Sequence, residues 1–322
     1  MQKTRIATQA TTTLILLFCS LGLQAQVNVN RIATLHWYSA NQTTNFAVGS
    51  QPGGVAFDGV HIWISNSKSN NVTKMRAADG AVVGTFATPA SPNQLAFDGA
   101  NIWITNTFAN SVSKMRASDG TVLGTFSVGT NPEGIAFDGS NIWVGNDTST
   151  TVTKVRASDG TVLGTFPAGN QPTGIAFDGA NVWVADWNNG TGTGTVTKLR
   201  ASDGTILGTF NVGTGPEGVV FDGTNIWVAN FKSNNVTKLR ASDGALLGTF
   251  AVGVDPVGVV FDGVNIWVAN WNGGGISTVT ELRASDGVAL GTFNTGNGSL
   301  WVAFDGANIW VANNASNTVS KL

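Results

Sequence analysis

From residue 50 onward the hydrophobic and polar positions alternate in short runs, and the pattern resets about every forty residues. One unit reads Gly-Ile-Ala-Phe at 134–137, Asn-Ile-Trp-Val-Gly at 141–145, Val-Thr-Lys-Val-Arg at 152–156 and Val-Leu-Gly-Thr-Phe at 162–166. These runs are rich in β-branched and aromatic residues, and none repeats with the 3.6-residue period of a helix. Asp-Gly separates the first run from the second and the third from the fourth. That dipeptide suits a tight hairpin, because glycine accepts positive φ and aspartate caps the local backbone. Each unit is therefore expected to fold as four antiparallel strands, A to D.

The motif Phe-Asp-Gly begins at Phe57, Phe97, Phe137, Phe177, Phe221, Phe261 and Phe304. Six residues after each comes a tryptophan: Trp63, Trp103, Trp143, Trp183, Trp227, Trp267 and Trp310. Four-stranded units at this period are the signature of propeller blades, with the Trp and Phe packing one blade on the next. The expected fold is all-β, a seven-bladed β-propeller. The seventh unit lacks strand D, and aligning Phe46 with the strand-D phenylalanines makes residues 36–48 the missing strand. Pairing it with the last unit closes the ring and removes an exposed sheet edge. One domain, 26–322, is expected.

Composition adds the compartment. Residues 1–25 read as a secretory signal: Lys3 and Arg5 precede an apolar stretch at 14–23 too short to span a bilayer, and Ala25 offers a cleavage site. The protein is accordingly expected to be secreted, periplasmic or extracellular, without membrane insertion. The single cysteine, Cys19, falls in that segment, so the mature chain has no thiol for a disulfide, a metal or a nucleophile. Without Lys3 and Arg5 the 17 basic residues become 15 against 19 acidic, a net charge of −4. That balance leaves no footprint for nucleic acid. A monomer is expected.

The stretch Pro-x-Gly-Ile-Ala-Phe-Asp-Gly-x-Asn-Ile-Trp-Val-Ala-Asn, followed by Asn-x-Val-Thr-Lys-Leu-Arg, resembles the repeats of YVTN-type and NHL-type propellers. It is also similar to the repeats of streptogramin (virginiamycin B) lyase. The resemblance spans 35–322 and implies the propeller fold. For the lyase group it implies a histidine base and a magnesium ion on one face. The two histidines here, His36 and His61, stand where other units carry Arg and Asn, away from the position such a base would take. Because these repeats serve enzymes, binding proteins and scaffolds alike, the activity must be argued from the site.

The units differ from one another in the B–C and D–A loops, which share one face, whereas the A–B and C–D turns are near copies. Divergent loops are free to carry function. Thirteen aspartates belong to the uniform turns. Glu281 replaces a strand-C lysine. The other five acids, Glu133, Asp147, Asp186, Glu217 and Asp255, lie in or beside the loops of units three to six, with Lys232 as the one base there. The residue following strand B is Ser67, Thr107, Asp147, Trp187, Phe231, Trp271 and Asn314 in turn, so three consecutive blades present an aromatic ring. Blades four and six carry insertions at 188–194 and 272–277, and Trp301 stands where most units have glycine. The pairs Lys74/Arg76 to Lys238/Arg240 are two apart on strand C and read as a solvated belt pairing with turn aspartates.

Aromatic faces with carboxylates suit a carbohydrate, a small molecule or a protein partner. The candidate ligand-binding residues are Trp187, Phe231, Trp271, Trp301, Glu133, Asp186, Glu217 and Asp255. No catalytic residue or organic cofactor is assigned, and calcium or magnesium is the cation such acids would take. The leading expectation is a non-enzymatic binding or scaffold protein using the loop face of blades four to six. One alternative is a metal-dependent lyase or lactone hydrolase, which needs Glu133 and Glu217 to converge on one substrate. Another is a structural module in which each aromatic is individually buried.

Overall fold

The computed structural model describes residues 43–322 and contains seven four-stranded antiparallel sheets. Blade 3 shows the pattern: strand A is Pro132–Phe137, B is Asn141–Asn146, C is Thr151–Arg156 and D is Val162–Pro167, paired in that order. The A strands of successive blades are neighbours around the whole ring, blade 7 beside blade 1 included, so A is innermost and D outermost. Blade 7 joins Ser299–Phe304, Ile309–Asn313 and Thr318–Lys321 to Thr44–Ala47, with Phe46 opposite Val319. The strand expected at 36–48 is thus present at 44–47; residues 36–42, the segment 1–25 and His36 lie outside the described residues.

The repeat's aspartate explains why turn and core recur together. Asp138 Oδ1 accepts from the amides of Ser140 and Asn141 at 2.9 and 2.6 Å, and its Oδ2 accepts from Trp143 Nε1 at 2.8 Å. Burial opposes the charge, but the bonds from Trp143, Asn141 and the turn amides outweigh it and hold the carboxyl below its ordinary value. Trp143 is fully buried; it lies 5.5 Å from Phe166 of its own blade and packs on Ile175, Val182 and Val184 of blade 4. The core therefore lies between blades.

The strand-C lysines are not the solvated belt the sequence suggests. Lys74, Lys114, Lys154, Lys198 and Lys238 are buried. Lys154 Nζ lies 5.1 Å from the centre of the Trp143 ring and donates to the Ala201 and Ser202 carbonyls of the next blade's C–D turn, at 2.6 and 3.3 Å. Lys321 does the same from blade 7 to Ala77 and Ala78 of blade 1. Two carbonyls and a π face replace the water such an ammonium loses. Lysine and arginine share a sheet face, but the next blade covers only the lysine. Arg156 stays outside, paired with Asp159 at 3.0 Å.

Candidate functional site at the channel mouth

Strand A begins at the loop end of the central channel, and its pairing with B slips there. Pro132 stands opposite Asn146, yet Ile135 stands opposite Val144, so one extra residue bulges from strand A. A bulge takes residues out of the ladder and re-aims their side chains. All seven blades carry it, and its first residue is Gly53, Asn93, Glu133, Thr173, Glu217, Val257 or Leu300. Glu133 and Glu217 therefore belong to the inner strands themselves, not to the loop before them. Neighbouring strands approach closely here: a side chain at Gly134 would run into the Thr173 carbonyl, and one at Gly174 into the Glu217 carbonyl. Glu133, Thr173 and Glu217 thus follow one another on three adjacent inner strands.

The acids share one electric field. Burial, then the charge of Asp147, pushes the Glu133 carboxyl up to about 7. Burial, then the charges of Glu133 and Asp147, pushes Glu217 well above its ordinary value. Burial also raises Asp147, the first residue of a single 3-10 turn after strand B of blade 3. Glu217 thus feels the charge of Glu133 across the intervening Thr173, which is less than the meeting at one substrate that catalysis by the pair needs. Coulomb coupling reaches further than a coordination sphere. Among the described residues no three His, Cys, Asp or Glu side chains are grouped to hold a metal ion. A magnesium ion demands near-octahedral oxygen ligation, and this donor set does not fit one held by the protein.

The residue after strand B leans over the next blade's inner strand. Thr107 Oγ1 donates to the Pro132 carbonyl at 3.0 Å, and Asn314 Nδ2 to the Pro52 carbonyl at 3.1 Å. In blades 4 to 6 this position builds a continuous aromatic arc. The Trp187 and Phe231 ring centres are 5.5 Å apart at 64°, and those of Phe231 and Trp271 are 5.9 Å apart at 31°. All three are half-buried, in contact with one another rather than individually enclosed. Trp187 lies against Gly215, where an added Cβ would come within 3.0 Å of its ring, two residues ahead of Glu217. The insertions open with short kinked turns, Asn188–Gly190 and Asn272–Gly274, each with a positive-φ residue at its centre, directly after the two tryptophans. Lys232 Nζ sits 4.9 Å from the centre of the Phe231 ring.

Three expected residues stand elsewhere. Asp186 is 1% exposed and lies inside blade 4 rather than on its loop face. Its Oδ2 accepts from Thr195 and Thr197 at 2.9 and 2.8 Å, replacing the asparagine that bridges the same positions in other blades. As the last residue of strand B it points into the sheet, and this removes it from the ligand set. Asp255 holds the positive-φ corner of its D–A turn, beside Gly273 of the blade 6 insertion. Trp301, half-buried on the inner strand of blade 7, makes no ring contact with the arc. His61 contacts Asp58 in an A–B turn at the opposite end. Sequence reasoning passed over Thr173, the membership of Asp147, and Phe108, which is 75% exposed in the blade 2 loop. Reading all seven units column by column at the bulge would have found Thr173.

Two surface clefts of about 540 and 550 Å³ lie at the turn end, lined by repeated residues such as Asp98, Asn101 and Lys114. They are seams between like blades, not a site peculiar to one.

No family model matches the chain, and no curated protein matches it. Solved structures do. It is similar to hydrazine synthase of Kuenenia stuttgartiensis, with a TM-score of 0.74 at 18% identity over 84% of this chain and 95% of that one. It is also similar to a streptogramin B lyase, with a TM-score of 0.73 at 16% identity over 87% of this chain and 96% of that one. Likeness at such identities establishes the shared propeller fold alone.

Proposed function

We propose that this chain is an exported, non-enzymatic binding propeller whose ligand sits at the loop-side mouth of the central channel, across blades 3 to 6. The observation that carries this reading is one juxtaposition. Glu133, Asp147 and Glu217 share a field at the channel wall, and the arc of Trp187, Phe231 and Trp271 begins beside them, where Trp187 lies against Gly215, two residues ahead of Glu217. Half-buried rings and carboxylates without side-chain partners are the ingredients of a binding pocket. Among the described residues no helix is long and apolar enough to cross a membrane.

The test is thermal unfolding of the full chain against neutral oligosaccharides, organic cations, calcium and magnesium, repeated with Trp187→Ala/Phe231→Ala and with Glu133→Gln/Glu217→Gln. A ligand bound only by the native state adds about 2.7 kcal/mol at a hundredfold excess over its Kd. A midpoint shift that both variants lose supports the site. Shifts that survive both variants would move binding elsewhere, and no shift with any member would leave the structural reading standing.

A second reading draws on Glu133, whose carboxyl near 7 suits a general acid or base at neutral pH. Turnover of a lactone or ester panel that Glu133→Gln abolishes would favour it over pure binding.

A further inference from the structure

We propose that the channel mouth receives a small organic ammonium ion, seated on the Phe231 ring face that Lys232 now covers and attracted there by the negative charge of Glu133, Asp147 and Glu217. This rests on the binding reading above and names its ligand class.

Three features point to a cation. The first is charge complementarity. Glu133, Asp147 and Glu217 share one field at the mouth, and the loops of blades three to six hold a single base, Lys232. The carboxylates of Glu133 and Glu217 make no hydrogen bond to another side chain or backbone group among the described residues, so no protein donor offsets their charge. The second is the arc itself. Electron-rich ring faces attract ammonium groups, tryptophan most strongly, and cages of several rings select alkylated ammonium over neutral groups of the same shape.

The third is that a cation already occupies the place. Lys232 Nζ lies 4.9 Å from the Phe231 ring centre. The strand-C lysines also lie over rings, but each is buried and fixed by two backbone carbonyls, as Lys154 is by Ala201 and Ser202. Lys232 is exposed, and among the described residues its ammonium has neither a hydrogen-bond acceptor nor an ion-pair partner. It can swing away without breaking a bond. In the free protein it is a tethered stand-in for the ligand's charge, and a competitor for it.

The test uses choline and its uncharged carbon isostere, 3,3-dimethyl-1-butanol, followed by the ¹H–¹⁵N signals of the tryptophan indoles in the full chain. Trp187 and Trp271 are assigned through Trp→Phe variants. Choline should shift these two signals and bind about tenfold or more tightly than the isostere. Phe231→Ala should weaken choline by about tenfold, and Glu133→Gln/Glu217→Gln by several-fold, with little effect on the isostere. Lys232→Met should tighten choline by about threefold, because it removes the competitor and leaves the acids uncompensated. The last result separates a ligand site from a packed aromatic cluster, since a merely structural Lys232 would leave affinity unchanged.

Equal binding of choline and isostere would overturn the proposal, as would a Lys232→Met variant that binds choline less well or no choline binding at all. A neutral oligosaccharide that shifts the same indoles in those circumstances would overturn the cation alone and leave the site intact. Ligand effects insensitive to every arc and acid variant would overturn both. Variants are compared only where circular dichroism and melting match the parent.

Discussion

Replacing Asp186 by asparagine should stabilise the fold at neutral pH, because six other blades carry asparagine at that position. In blade 3, Asn146 donates through Nδ2 to Thr151 and Thr153 and accepts the Gly129 amide at 3.0 Å. Blade 4 supplies the same partners, Thr195, Thr197 and Gly169, around a carboxylate; its Oδ1 lacks a hydrogen-bond partner, as do the equivalent oxygens of Asn66, Asn106, Asn230 and Asn270, but here the group carries a charge. Burial, only partly offset by those bonds, raises Asp186 from 3.8 to about 6. At about 1.4 kcal/mol per pKa unit, that is roughly 3 kcal/mol against the charged form. The folded pKa lies above the unfolded one, so the protonated acid's advantage is complete below pH 3.8 and lost as pH rises through 6. Asp186→Asn should therefore exceed the wild type by about 3 kcal/mol at pH 7.5, a rise of roughly 5 °C in Tm, and the gap should close towards pH 4. Calorimetry at both pH values measures this. A variant no more stable at pH 7.5, or a gap independent of pH, would refute the assignment of a buried, ionised Asp186.

Carboxyl-edited NMR should place the Glu133 titration near pH 7, and Asp147→Asn should lower it by removing a neighbouring negative charge. Glu217→Gln should change stability little below pH 4.5 and gain on the wild type as pH rises above it, since the unfolded acid ionises first and the raised acid's advantage is lost. Lys154→Met should cost about 2–4 kcal/mol by urea denaturation, because two carbonyls in the next blade lose their buried donor. Arg156→Ala, which breaks only an exposed pair, should leave the melting curve unmoved.

The strands and their turns were legible because their causes are local. Alternation sets the faces, and an Asp-Gly corner sets the hairpin, within six residues of each other. The closing strand was legible through Phe46 alone, whose ring takes the place against Trp310 that Phe86 takes against Trp63. What was hidden depends on the neighbouring blade. Lys154 and Arg156 look alike on a strand, and only the C–D turn of blade 4 decides that one is covered and the other is not. Asp186 sits one residue from the loop by sequence, and only the pleat turns it inward. For the site, the aromatic column after strand B was visible as a repeat anomaly, and so was the shared position of Glu133 and Glu217. Their place in a bulge was not, because a one-residue slip leaves no mark on the hydrophobic pattern. Nor was Asp147's coupling to them, which spans two blades.

Glu281 shows how the ring's topology reaches back into the sequence. Six blades hold lysine at this strand-C position, Lys74, Lys114, Lys154, Lys198, Lys238 and Lys321, and each donates to the C–D turn of the following blade. Blade 6 faces blade 7, whose strand C, Thr318–Lys321, pairs with Thr44–Ala47 from the other end of the chain. Those two strands are not consecutive in the chain, and among the described residues no C–D turn carbonyl pair of blade 7 receives an ammonium from blade 6. Among the described residues a lysine at 281 would find a ring face without that carbonyl pair, a poor exchange for a buried charge. Glutamate takes its place and accepts a 2.7 Å hydrogen bond from Asn265 Nδ2, with its carboxyl raised by burial and by the Asp262 charge. Trp267 correspondingly stays partly exposed where the repeat's other tryptophans are sealed. The one exception in the lysine column thus marks the blade that abuts the seam, and it does so for a reason of hydrogen bonding rather than of ligand recognition.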